Sequence, residues 1–176
     1  MRKSVRVASV AMAIGVAAVL GGSGAQAVPG DAPGAHDRAA TQGLVAQIRQ
    51  AVDPYTDVEV AIGDGYVPVS GCEVSDEGGM GIHYLNPALA GSFEVDPAHP
   101  TILLYGPDGE GGLRLLGAEW WQANIGQERP QLGGQPFDGP MPGHGPDMPE
   151  HYDLHVWTHV ANPAGVFAPW NARVTC

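Results

Sequence analysis

Residues 113–121 read LRLLGAEWW and residues 152–160 read YDLHVWTHV. These two stretches decide the fold. Each is rich in Leu, Val, Trp or Thr and alternates with the period of two that a half-buried strand requires. Alternation sorts the side chains onto faces. In the first stretch Leu113, Leu115, Gly117, Glu119 and Trp121 share a row, so Glu119 is an acid in apolar company. In the second, Asp153, His155, Trp157 and His159 share one row, and Leu154, Val156, Thr158 and Val160 the other. His151, His155 and His159 lie four apart and would line one face of a helix. The alternation favours a strand and discounts that comb.

Gly79–Leu85 (GMGIHYL) and Thr101–Tyr105 (TILLY) read as further strands. Pro107-Asp108-Gly109 with Gly111-Gly112 is a hairpin turn into Leu113. Tyr66–Val69 is short and carries Pro68, which makes it an edge strand or none. Asn86-Pro87 has the pattern of a helical turn with Asn as cap and Pro in the first position. Before the strands, Leu44, Val45, Ile48 and Val52 form an amphipathic stripe that Asp53-Pro54 ends. Thr56 and Glu59 then have the spacing of a capping box for a second short helix, stopped near Gly63 and Gly65. Gly126–Pro149 contains six Gly and six Pro. That composition disfavours any ladder, and the segment is expected to be a long cover loop. The pattern as a whole is α+β: two short N-terminal helices followed by an antiparallel sheet or open barrel of at least four strands.

The chain start reads as an address. Arg2, Lys3 and Arg6 precede the apolar run Val7–Leu20 and the triplet Ala25-Gln26-Ala27, the pattern of a cleaved secretory signal over residues 1–27. The apolar run is shorter than the ~20 residues of a membrane span. Residues 28–37 (VPGDAPGAHD) are polar and rich in Pro and Gly, and are expected to be a disordered leader. A single globular domain is expected over 38–176. Residues 28–176 together carry five arginines, no lysine and all 19 acidic residues, a formal charge of −14. Such a surface repels nucleic acid. The expected product is a secreted, extracellular monomer, free of the membrane after signal cleavage. In an oxidising compartment its two cysteines, Cys72 and Cys176, are expected to form a disulfide.

Three strands offer His83, Glu119 and His155, with Asp153 and His159 on a shared row as further candidates. A buried carboxylate must be paired, protonated or bound to a metal. Two imidazoles and a carboxylate suit Zn²⁺, Fe²⁺ or Mn²⁺ with open coordination positions for a small molecule. The same residues also suit a metal-free acid/base pair, with Glu119 and a histidine in the catalytic roles. Equally, they suit a structural network in a non-catalytic extracellular binding module. Tyr84, Trp121 and Trp157 are candidate pocket walls. The loop piece 141–148 brings Met141, His144 and Met148 together, a softer donor set that makes copper the lesser expectation. Serine-nucleophile elbows and phosphate-binding loops are absent from the sequence.

The strings Met80-Gly-Ile-His83-Tyr84-Leu-Asn86-Pro87, Leu103-Leu-Tyr105, Glu119-Trp120 and Leu154-His155-Val-Trp157 are followed by Asn162-Pro-Ala-Gly165-Val-Phe167-Ala-Pro-Trp170-Asn171. Together they resemble an uncharacterised family of exported bacterial proteins, largely actinobacterial. The resemblance spans roughly residues 57–176. It implies export, these domain limits and weight on His83, Glu119 and His155. It implies no reaction. Ala172 stands where that group commonly has proline.

Overall fold

The computed structural model describes residues 35–145 and 147–176. The expected signal segment and most of the leader lie outside the described residues. The chain forms helix α1 (Ala35–Val52), a 3-10 turn (Asp53–Thr56), α2 (Val58–Gly63), strands β1 (Val67–Pro68), β2 (Glu73–Ser75) and β3 (Gly78–Leu85), and the one-turn helix α3 (Pro87–Ala90). Strands β4 (Ile102–Pro107), β5 (Leu113–Ala123), β6 (Gln131–Leu132), β7 (Gln135–Pro136), β8 (Asp138–Met141) and β9 (His151–Val156) follow. The main sheet is antiparallel throughout and open, in the order β1-β3-β4-β5-β9-β8, with β2 pairing on β3 beside β1. This is the expected α+β architecture, in its open-sheet rather than its barrel form.

One face of the sheet carries α1. Ile48 and Val52 of the amphipathic stripe are fully buried against Leu103, Tyr105, Ala118 and Trp120. Each such aliphatic side chain contributes about 1.5–3 kcal/mol by leaving water. The helix begins at Ala35, inside the segment read as a leader. It ends at Val52, where Asp53-Pro54 was expected to stop it. The cap of α2 is not Thr56. The Thr56 hydroxyl donates to the Asp53 carbonyl (2.9 Å) and closes the 3-10 turn. Asp57 caps instead, accepting from the Glu59 N–H (3.0 Å). Asn86 caps α3, with Pro87 at its first position, as the sequence indicates.

Two departures from simple alternation shape the other face. The β4–β5 register shifts between Leu104 and Tyr105, leaving Leu116 as an extra residue of β5 beside Gly117. The expected row therefore breaks. Leu113 and Leu115 pack on the helix side, whereas Leu116 packs with Ile102, Leu104, Trp157 and Val174 on the opposite side. Glu119, beyond the bulge, keeps its expected face. The last strand stops at Val156 rather than Val160, and β5 explains why. Gly117 lies so close to β9 that a Cβ there would sit 2.3 Å from the Val156 carbonyl oxygen. Past that point the chain crosses the bulge irregularly, and the His159 N–H donates to the Leu116 carbonyl (3.0 Å).

The Gly/Pro-rich segment is more regular than expected. Leu132 and Phe137 are fully buried on the helix side, and these two anchors hold the short β6–β7 ladder and β8 in place. Only its second half acts as a cover. The disulfide Cys72–Cys176 forms as expected and ties the last residue to the β2 edge. Among the described residues, no helix is long and apolar enough to cross a membrane.

Candidate metal centre

The face opposite α1 holds a cluster of buried polar groups, and the strand register places them. Glu119 on β5 lies directly opposite His155 on β9, and Ile102 of β4 opposes Glu119 on its other side. Directly paired residues share a face. His83 sits on β3, opposite Leu104, one strand further across the same face. Two strand spacings are roughly 9–10 Å, a gap that an imidazole and a glutamate side chain close from either side. His83, Glu119 and His155 are 9%, 3% and 1% exposed.

Their donor atoms converge. His83 Nε2 lies 3.4 Å from Glu119 Oε2, and His155 Nε2 lies 3.6 Å from the same oxygen. One donor atom from each residue falls within 4.8 Å of the others. Among the described residues this is the one group of three or more His, Cys, Asp or Glu side chains that does so. A tetrahedral ion holding ligands at ~2.0–2.2 Å sets them roughly 3.3–3.6 Å apart. The group could therefore hold a metal ion.

Hydrogen bonding assigns the His83 tautomer. Ser70 Oγ donates its single proton to the Gly71 carbonyl (2.7 Å) and accepts from the His83 backbone N–H (3.1 Å). It therefore meets His83 Nδ1 (2.9 Å) as an acceptor, so this network assigns the ring proton to Nδ1. The Nε2 lone pair then faces Glu119. Across the site, both ring nitrogens of His155, Glu119 Oε2 and Asp153 Oδ1 are buried without a hydrogen-bond partner. Orphaned polar atoms are rare in folded proteins, and several around one point call for a proton or a cation to join them.

Electrostatics sharpens the point. Burial above all, then the neighbouring His155, lowers His83 to a pKa of about 3. Burial likewise lowers His155, against the opposing pull of Asp153. Burial, followed by the charges of Asp153 and Glu73, raises Glu119 well above the usual carboxylate range. The close His–Glu contacts are thus not ion pairs at neutral pH in the metal-free protein. Both imidazoles are neutral, the protonation state in which they bind metal.

A second tier surrounds the three. Asp153 is buried on the same face, with Oδ1 3.9 Å from His155 Nδ1 and Oδ2 3.6 Å from His151 Nε2. A carboxylate behind a ligating imidazole fixes its tautomer and raises its basicity. His151 Nδ1 donates to the Pro149 carbonyl (3.1 Å). Burial opposes a charge on His151, but Asp153 and that carbonyl outweigh it and raise its pKa.

The cluster lies in a cavity of about 590 Å³, within the size range of small-molecule sites. Val69, Met80, Leu85 and Ile102 give it apolar walls, and the loop residues His144 and Met148 reach over it. Of the three expected wall aromatics, Trp121 lines the cavity. Tyr84 does not. As the strand neighbour of His83 it points to the opposite face, where it packs edge-on against Tyr105 at 4.9 Å. Trp157 stacks on His155 at 6.3 Å from within the core, and its indole N–H donates to the Ala168 carbonyl (2.6 Å). It supports the ring without lining the cavity. His159 lies beyond the end of β9, with Nε2 3.1 Å from Asp53 Oδ1. Met141 is in β8, so the 141–148 donor set is divided between a strand and the cover.

Sequence alternation points to Asp153 and, by extension, His151. Nothing in the sequence marks Ser70 or Glu73, which reach the site through the turn and edge strand beside β3. No protein-family model matches the chain, and no curated protein or solved structure matches it.

Proposed function

We propose that His83, Glu119 and His155 form a divalent transition-metal site in an exported protein that acts on a small molecule in the cavity above it. The observation that carries this reading is the convergence of one donor atom from each of three buried residues within 4.8 Å, with Glu119 Oε2 and His155 Nε2 lacking any hydrogen-bond partner. Two imidazoles and one carboxylate suit Zn²⁺, Fe²⁺ or Mn²⁺ and leave coordination positions open. An ion there would supply Lewis acidity at the floor of the cavity. The protein's own contribution is geometric. Ser70 orients His83, Asp153 stands behind His155, and Trp157 stacks on the back of that ring. The disulfide and the sequence pattern of residues 1–27 support export.

Calorimetric titration of untagged, chelator-stripped protein with zinc, ferrous and manganous ions tests the reading. The expected result is one site per chain for at least one ion, with affinity weakened at least ~100-fold in His83→Ala and Glu119→Gln. Protein that stays folded and binds none of the three contradicts it. Glu119 would then be a protonated acid shared between two imidazoles, a structural network.

A further inference from the structure

The cavity has a marked charge asymmetry. Four carboxylates line it: Glu73, Glu119, Asp147 and Asp153. Residues 28–176 contain no lysine, and none of the five arginines lines the cavity. Arg49 and Arg114 lie outside it and donate to the carbonyls of Thr158 (2.8 Å) and Pro107 (3.2 Å). Four carboxylates outnumber the two charges of one divalent ion, and His151, drawn toward its charged form by Asp153, offsets only one more. Beside Ser70 and four histidines, the rest of the lining is apolar, with the indole of Trp121 among it. Asp153 is 3% exposed and Asp147 sits in the cover, so negative charge faces the cavity from both floor and roof.

We propose that this cavity selects an organic cation: a small molecule with an ammonium group and an apolar remainder, held between the carboxylates and Trp121. The inference rests on the reading of this cavity as the functional site and adds the class of molecule it takes. Aromatic walls attract ammonium groups, and carboxylates in a low-dielectric cleft focus the potential that draws a cation in. Phosphate and sulfonate esters would meet uncompensated negative charge with no guanidinium or ammonium to receive them.

Three probes of similar size and different charge test this: benzyltrimethylammonium, benzyl alcohol and benzenesulfonate, each titrated calorimetrically into the full-length protein with and without zinc. The ammonium probe is expected to bind at least ~10-fold tighter than the sulfonate, with the ratio shrinking as salt is raised. Asp147→Asn and Glu73→Gln, both outside the buried core, are expected to narrow the ratio by ~3-fold each. Equal affinities, preference for the sulfonate, no binding of any probe, or a ratio untouched by both substitutions overturns the inference. Zinc titration without probe separates the two claims. Zinc binding without charge selectivity removes the cation and leaves the metal site, and charge selectivity without zinc binding does the reverse.

Discussion

Burial pushes the protonation of Glu119 and its two imidazole neighbours in opposite directions, and both shifts disfavour charge. The consequence for stability has a definite sign. The folded-state pKa of His83 is about 3, below its ordinary 6.5, so the unfolded chain takes up the proton more readily. That contribution is fully present above pH 6.5 and is lost as pH falls toward 3. Glu119, raised, does the opposite: its contribution is present below its ordinary pKa and is lost as pH climbs through the folded value. In metal-free protein the two slopes partly cancel between about pH 4.5 and 6.5. Glu119→Gln removes one of them. Its urea midpoint is expected to fall more steeply on acidification below pH 6.5 than that of the wild type. Parallel pH profiles would show that Glu119 is not held protonated in the folded chain. Asp153 has a separate test. It touches the site only through His155 and His151, so Asp153→Asn is expected to weaken zinc binding 10–100-fold without abolishing it. An unchanged affinity would leave Asp153 as part of the cavity wall alone.

At the scale of elements, β5 is the organising strand. It pairs with β4 on one side and β9 on the other, and it carries Glu119 between residues from both. The alternation of LRLLGAEWW and YDLHVWTHV made the strands and the facing of Glu119 and His155 legible, because both residues lie where the period of two is intact. Leu113 and Leu115 changed face because a bulge inserts one residue, and a bulge leaves no reliable mark in a single sequence. Tyr84 departs from the expected wall for a simpler reason. It is adjacent to His83 and must point the other way. The segment 126–149 is more regular than its Gly/Pro composition implies because two apolar residues, Leu132 and Phe137, bury completely. Helix α1 was legible from its stripe, and its role is to cover the face of the sheet away from the site. Ile48→Ala is accordingly expected to cost about 2–5 kcal/mol of stability, read by denaturant unfolding. Zinc affinity per folded molecule should be unchanged. A loss of zinc binding in the folded fraction would mean that the two faces of the sheet are not independent.

Over the whole molecule, the polar floor of the cavity is held from three directions: by the sheet beneath, by the cover carrying His144 and Met148, and by the C-terminal segment. That segment runs from Trp157 back to β3, where Asn171 bridges Gly79 before Cys176 bonds Cys72. The crosslink joins residues 104 apart. Replacing both cysteines by serine is expected to lower stability by about 2–5 kcal/mol. It should loosen the β2 edge, which hydrogen exchange at Glu73–Ser75 would report. Unchanged exchange there would place the stabilisation in the unfolded chain alone.

A crystal of zinc-soaked, untagged protein examined on both sides of the zinc absorption edge locates the ion itself. The expected map has a single anomalous peak about 2.0–2.2 Å from His83 Nε2, His155 Nε2 and a Glu119 carboxylate oxygen. A peak confined to surface carboxylates, or none, with Glu119 hydrogen-bonded to an imidazole, would contradict the metal centre.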